Sequence, residues 1–289
     1  MSEQQAGELM RQARETQDAV QKTVDIVLAS LKERTQEGGK FSASKLDQHQ
    51  LIAYDAALCS AEAAAARFAL DYATKARDAV GASYPSPTLE ERLALLFTAE
   101  ARIQSMLDWQ RDPMISASAG ENSPRYWESN VVQGFRAAQL TPGNVAELGK
   151  AVSALDGQTG AYLLDDHHEM MQDQFRRFAN EVVMPLAKEV HQKDLIIPEE
   201  ILENVKELGC FGLSIPQRYE GLQDDEKEDN MGMIVVTEEL SRGSLGAAGS
   251  LITRPEILAR ALLRGGTEEQ KQKWLPRNWP LVIHYARWR

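Results

Sequence analysis

Phe175-Arg176-Arg177-Phe178-Ala179-Asn180-Glu181-Val182-Val183-Met184-Pro185-Leu186 places apolar Phe175, Phe178, Val182 and Leu186 at intervals of three, four and four. These intervals follow the 3.6-residue turn of an α-helix, so the stretch reads as one amphipathic helix with a single buried face. Pro185 lies inside the pattern and is expected to bend the helix rather than end the segment. Upstream, Val20, Val24, Val27 and Leu31 form a similar stripe within residues 8–32, which Gly38-Gly39 is expected to stop. Ser42 or Ser44 then caps a second helix through Leu51, Tyr54, Leu58, the alanine block 63–66, Phe68 and Tyr72. The two predict an antiparallel hairpin. Ser86-Pro87-Thr88 opens a third helix, with Thr88 and Glu91 in capping-box spacing, Leu93, Leu96, Phe97, Ile103 and Leu107 on its apolar side, and Pro113 at its end.

Downstream, Pro198-Glu199-Glu200 starts a helix carrying Leu202, Val205 and Leu208, closed by Gly209; an acidic loop spans 224–229 and a further helix 231–240. Between 115 and 164 the periodicity weakens: Ser, Gly and Asn cluster at 116–123, and a short helical stretch near 131–140 precedes Pro142-Gly143. The expected organisation is a helical region at 1–113, a connection at 114–164, a second helical domain at 165–277 and an atypical tail at 278–289. Leu213-Ser214-Ile215 and Leu281-Val282-Ile283 are the only modest strand candidates, so the fold class is all-α.

Composition narrows the function classes. The 289 residues are 43% hydrophobic and 26% charged, enough for a sizeable core, and the length suggests two domains at ~150 residues each. Asp and Glu total 43 against 32 Lys and Arg, a net charge of −11, which argues against nucleic acid or an anionic membrane as partner. The polar start Met1-Ser2-Glu3-Gln4-Gln5 is no signal peptide, and no apolar run reaches the ~18 residues of a membrane span. Cys59 and Cys210 lie outside any C-x-x-C pair, as expected of a reducing cytoplasm.

The search for catalytic motifs is largely negative: there is no P-loop, dinucleotide fingerprint, nucleophile elbow or H-E-x-x-H zinc motif. In Asp165-Asp166-His167-His168-Glu169, imidazoles and carboxylates have the chemistry to share a cation. Adjacent helical residues point about 100° apart, however, and acidic Asp165 and Glu169 suit a helix start, so no metal is expected. Glu238-Glu239 is a candidate carboxylate pair for acid–base work, yet its members also diverge on a helix, and one is expected to be solvated. Asp224-Asp225-Glu226 reads as a solvated loop and the 63–66 alanines as helix packing. No catalytic residue is assigned.

Four ordered strings carry a family resemblance: Phe175-Arg176-Arg177-Phe178-Ala179 with Pro185-Leu186-Ala187; Leu208-Gly209-Cys210-Phe211-Gly212-Leu213-Ser214-Ile215-Pro216 with Tyr219-Glu220-Gly221-Leu222; Glu238-Glu239-Leu240-Ser241-Arg242; and Gly266-Thr267-Glu268-Glu269-Gln270-Lys271-Gln272-Lys273-Trp274-Leu275-Pro276. Together, residues 165–277 resemble the N-terminal helical domain of the flavin-dependent acyl-CoA dehydrogenases. The strings read physically as structural devices: Gly209 and Gly212 permit a tight turn, Pro216 and Gly221 hold an extended return, and Thr267 with Gln270 forms a capping box.

The resemblance implies FAD as cofactor, an acyl-CoA substrate, and α,β-dehydrogenation in which a glutamate takes the α-proton and the β-hydride passes to flavin N5. It places Ala247, Ala248 and Leu251 near the acyl chain by their offset from Pro255, while helix packing explains the alanines equally well. The family's Thr-Glu-Pro flavin motif, FAD-contacting arginine and glutamine, and glutamate base are not found, so no cofactor-binding residue is assigned. The chain is expected to be truncated and inactive alone, with uncovered apolar faces that promote aggregation; the alternative is a non-catalytic helical scaffold or interaction protein. Relatives are commonly homo-oligomers through a C-terminal bundle. Gln48-His49-Gln50-Leu51, Tyr54-Asp55, Leu58 and residues 61–66 look somewhat like that bundle's long helices, while ordinary packing remains the simpler reading. The tail, with Trp279, His284, Arg287, Trp288 and Arg289 but no acid, is expected to be an out-of-frame reading of the gene; a natural amphipathic tail is the alternative.

Overall fold

The computed structural model describes residues 3–81, 87–100, 128–155 and 163–276. The chain divides into two compact units, Met1–Leu163 and Leu164–Arg289.

In the first unit, α1 (Glu3–Arg34) and α3 (Gln50–Val80) pack antiparallel. Val20, Val24, Val27 and Leu31 of α1 meet Ala56, Cys59 and Ala63 of α3, while Ala13 meets Leu70 and Ala73 at the other end. Small residues on α3 let the backbones approach closely. The buried hydroxyls of Thr16, Thr23 and Thr98 are satisfied by the carbonyls of Gln12, Ala19 and Ala94, each four residues back. α4 (Leu89–Glu100) starts at the expected capping box, with Glu91 N donating to Thr88 Oγ1 at 3.2 Å and Thr88 N to Glu91 Oε2 at 2.7 Å. α5 (Asn130–Gln139), capped by Ser129, inserts Phe135 among Ala13, Leu95 and Ala99, and α6 (Pro142–Ser153), capped by Thr141, follows.

The α1–α3 connection differs from the sequence expectation. The helix stops at Arg34, and Gly38-Gly39 instead turns a small antiparallel hairpin of β1 (Gln36–Glu37) and β2 (Lys40–Phe41). Both glycines have positive φ, 57° and 78°, the backbone of a two-residue hairpin turn. The second helix is also split. Ser42 sits at the N-cap of the short α2 (Ala43–Asp47) without a side-chain capping bond, and α2 closes through Gln48 N to Lys45 O before α3 begins.

The second unit starts with α7 (Asp166–Phe178), which continues through a π-helical segment (Ala179–Val183) into α8 (Met184–Gln192). Pro185 falls in the first turn of α8, where its missing N–H is tolerated, so the helical path carries on past it. α9 (Glu199–Glu207) ends at Gly209, whose φ of 73° supplies the left-handed cap. Leu213-Ser214-Ile215 is not a strand. It follows a 3₁₀ turn (Cys210–Gly212), and its backbone bonds locally, Ile215 N to Gly212 O at 3.1 Å. Gly221 is required beside it, because a Cβ there would lie 1.8 Å from the Ile215 carbonyl oxygen. α10 (Asn230–Ser244), a second π segment (Leu245–Gly249), α11 (Ser250–Gly265) and α12 (Glu268–Trp274) complete the unit. Phe175, Phe178, Val183, Ile201, Leu202, Phe211, Val236 and Leu240 lead its core. Thr267 and Gln270 form the expected capping box on α12.

Ile103, Leu107, Pro113, the 116–123 cluster, Leu281-Val282-Ile283 and the 278–289 tail lie outside the described residues. Among the described residues no helix is long and apolar enough to cross a membrane.

Candidate functional site

Ala247 and Ala248 occupy the π segment between α10 and α11, and Leu251 lies in the first turn of α11. Ser244 stops α10 by turning to an extended backbone, and its hydroxyl accepts the Ala247 N–H at 3.1 Å. Gly249 then packs directly on α10; a Cβ there would lie 2.3 Å from Ser241 Oγ. All three candidate residues are buried, in the same core cluster as Val183, Leu240 and Ile252. They do not line the open groove of about 870 Å³ along α7 and α9, whose walls include His167, Met170, Arg177, Phe178 and Leu208.

Glu239 lies on α10 shortly before this π segment. It is only 1% exposed, so its carboxylate needs compensating charge. Arg176 of α7 donates to Oε1 through Nη2 at 2.6 Å and Nε at 3.1 Å, and Arg242 donates through Nε to Oε2 at 2.9 Å. Arg242 also reaches Asn180 Oδ1 of the first π segment at 2.8 Å. Gly243 fits against Ala179 and Val183, where a Cβ would come within 3.2 Å of both. The cluster therefore ties α7 and the first π segment to α10 just before the second. Glu238 is the solvated member of the pair, as expected, and the carboxylates are not juxtaposed for acid–base work. The i,i+3 spacing of Glu239 and Arg242 is legible in sequence, whereas Arg176, 63 residues from Glu239, is brought in by the fold.

Asp165 caps α7, accepting the His168 N–H at 3.0 Å, as its helix-start reading implied. His168 meets His167 edge-on and bonds carboxylates at the starts of two helices, its Nδ1 2.6 Å from Asp165 Oδ1 and its Nε2 3.0 Å from Asp229 Oδ1. Asp229, 61 residues away, is the partner that sequence reasoning missed. Among the described residues no group of three His, Cys, Asp or Glu side chains is arranged to hold a metal.

Residues 165–278 match the family described as acyl-CoA dehydrogenase, N-terminal domain. They form an acyl-CoA dehydrogenase N-terminal domain. The chain is 50% identical over 118 residues to (2S)-methylsuccinyl-CoA dehydrogenase of Cereibacter sphaeroides, covering 41% of this chain and 21% of that protein. It is 35% identical over 111 residues to a 3-(aryl)acrylate reductase of Clostridium sporogenes, covering 38% and 28%. A glutaryl-CoA dehydrogenase of Desulfococcus multivorans is 31% identical over 109 residues, again covering 38% and 28%. The match thus spans between about a fifth and three-tenths of these relatives.

The acyl-CoA dehydrogenase family is FAD-dependent, and several polar groups of this N-terminal domain are already committed to partners within the protein. Glu239 is held by two arginines, His168 by two aspartates, and the Tyr219 hydroxyl donates to Glu268 Oε1 at 2.6 Å. Ser241 Oγ is buried without a hydrogen-bond partner, yet Gly249 closes over it and leaves no room for a ring.

Proposed function

We propose that residues 165–278 are the acyl-side domain of an FAD-dependent acyl-CoA dehydrogenase, and that the 289-residue chain is inactive alone. The reaction of the assembled enzyme is α,β-dehydrogenation of an acyl-CoA thioester. In this reading Ala247, Ala248 and Leu251 form part of one wall of the acyl pocket, and the small alanines leave room for a longer or bulkier acyl group. The Arg176–Glu239–Arg242 cluster holds that wall in register with α7. The flavin contacts and the base for the α-proton come from segments other than these 289 residues, so no step is assigned to a side chain here. The observation that carries the proposal is the match over 165–278, folded around the π segment that bears Ala247 and Ala248, with Leu251 in the next turn. Cys59 and Cys210 are buried and form no disulfide, which fits a cytoplasmic setting.

A chimera tests it. Residues 165–278 replace the corresponding domain of the Cereibacter sphaeroides relative, and flavin absorbance is followed on adding acyl-CoA. Bleaching is expected; a folded, FAD-replete chimera that acyl-CoA does not bleach overturns the proposal. The unmodified chain should purify without stoichiometric flavin. A scaffold role is the second reading, favoured by apolar Leu51, Tyr54 and Phe68 on the exposed face of α3.

A further inference from the structure

We propose that His168 is a charge-operated latch: as an imidazolium it ties the N-termini of α7 and α10 together, and on losing its proton it releases them. Both ring nitrogens face carboxylate oxygens, Asp165 Oδ1 at 2.6 Å and Asp229 Oδ1 at 3.0 Å. A neutral imidazole carries one N–H, so one nitrogen would turn its lone pair on a carboxylate; only the cation donates to both. The same oxygens cap the helices, Asp165 accepting the His168 N–H at 3.0 Å and Asp229 the Gly232 N–H at 2.8 Å. The capped N–H groups and helix dipoles keep both carboxylates ionised, so they remain available to the cation.

The latch sits where the two helices touch. A Cβ on Gly232 would come 3.1 Å from Met171 Cε of α7 and 2.3 Å from Asp229 Oδ2. His167 stands beside the ring on α7, with centroids 5.4 Å apart. In the loop before α10, Asp224 accepts the backbone N–H of Glu226 and Lys227, Asp225 pairs with Arg218, and Glu228 pairs with Arg260.

The bond to Asp229, with a further contribution from Asp165, outweighs desolvation and raises the His168 pKa. The Asp165 carboxyl is lowered, chiefly by the His168 backbone N–H. At Asp229 desolvation acts upward but is outweighed by the Gly232 N–H and His168, so it too is lowered. A raised histidine pKa stabilises the latch fully below the ordinary value of about 6.5, and this contribution is lost as pH rises through the raised value. The lowered aspartates hold it above their ordinary value of about 3.9, and they release it as pH falls through their lowered values. The latch is therefore closed in mild acid and opens on the alkaline side.

The test uses the full chain, with NMR detection of the His168 ring nitrogens and amide hydrogen exchange of residues 224–233 corrected for intrinsic rate. Both nitrogens should carry protons in mild acid, and titration should occur above 6.5. Protection at 224–233 should fall as pH passes that midpoint, by about tenfold for each unit by which folding raises the pKa. His168→Gln should abolish the pH dependence. Asp229→Asn, which keeps a capping side chain, should lower the midpoint and still report if the first variant fails to fold. Titration at or below 6.5, an unchanged midpoint in Asp229→Asn, or an unchanged exchange profile in His168→Gln overturns the latch.

Discussion

The two units solve the same packing problem with different materials. In the first, two helices of 32 and 31 residues meet along Ala56, Cys59, Ala63 and Ala73 of α3, and buried threonines bond back to their own helices. In the second, shorter helices pack large residues such as Phe175, Phe211, Ile201 and Leu202, and the path is interrupted by two π segments. An alanine seam asks for small side chains at helical intervals and little else. The second unit makes residue-by-residue demands: a left-handed Gly209, no Cβ at Gly221 or Gly249, and charge compensation at Glu239. The specific family strings occur where the backbone makes those demands, and the first unit has only low-specificity alanine patterns.

Substitutions can break this contrast, beginning with the largest expected effect. Phe211→Ala empties a site only 2% exposed and should cost the second unit about 3–5 kcal/mol in denaturant unfolding, with exchange protection in α1 and α3 unchanged. Glu239→Ala should cost about 2–3 kcal/mol, less than a fully buried pair, because Arg176 and Arg242 keep 33% and 39% exposure and rehydrate. Its signature should be faster amide exchange in the second π segment. Ala63→Leu overfills the α1–α3 seam and should destabilise only the first unit, by about 1–3 kcal/mol; a neutral result would mean that the seam is loose. Thr88→Ala and Thr267→Ala should each cost about 1 kcal/mol, one per unit, since the same two-bond cap operates in both. A large difference between these two caps would show that context, not local chemistry, governs them.

Local rules made the helices and caps readable. Thr88 with Glu91 and Thr267 with Gln270 lie three residues apart, so sequence distance equals spatial distance. The Gly38-Gly39 hairpin was missed because two glycines serve as a helix stop or as a hairpin turn; the flanking Gln36↔Phe41 pairing separates the two. The π segments left no clear mark, because one extra residue in a turn barely alters the apolar spacing. Ala247 and Ala248 were readable as small, but their burial beside Val183 depends on α7 returning across α10.

What the sequence determined by itself was the helical class, the capped helix starts and the family strings, all properties of neighbours along the chain. The tertiary structure decided which charges meet: Arg176 with Glu239 across 63 residues, and His168 with Asp229 across 61. The reason is physical. A cap forms within one turn, whereas a buried carboxylate or an imidazole between two helices gains its partner only after the helices that carry both have packed.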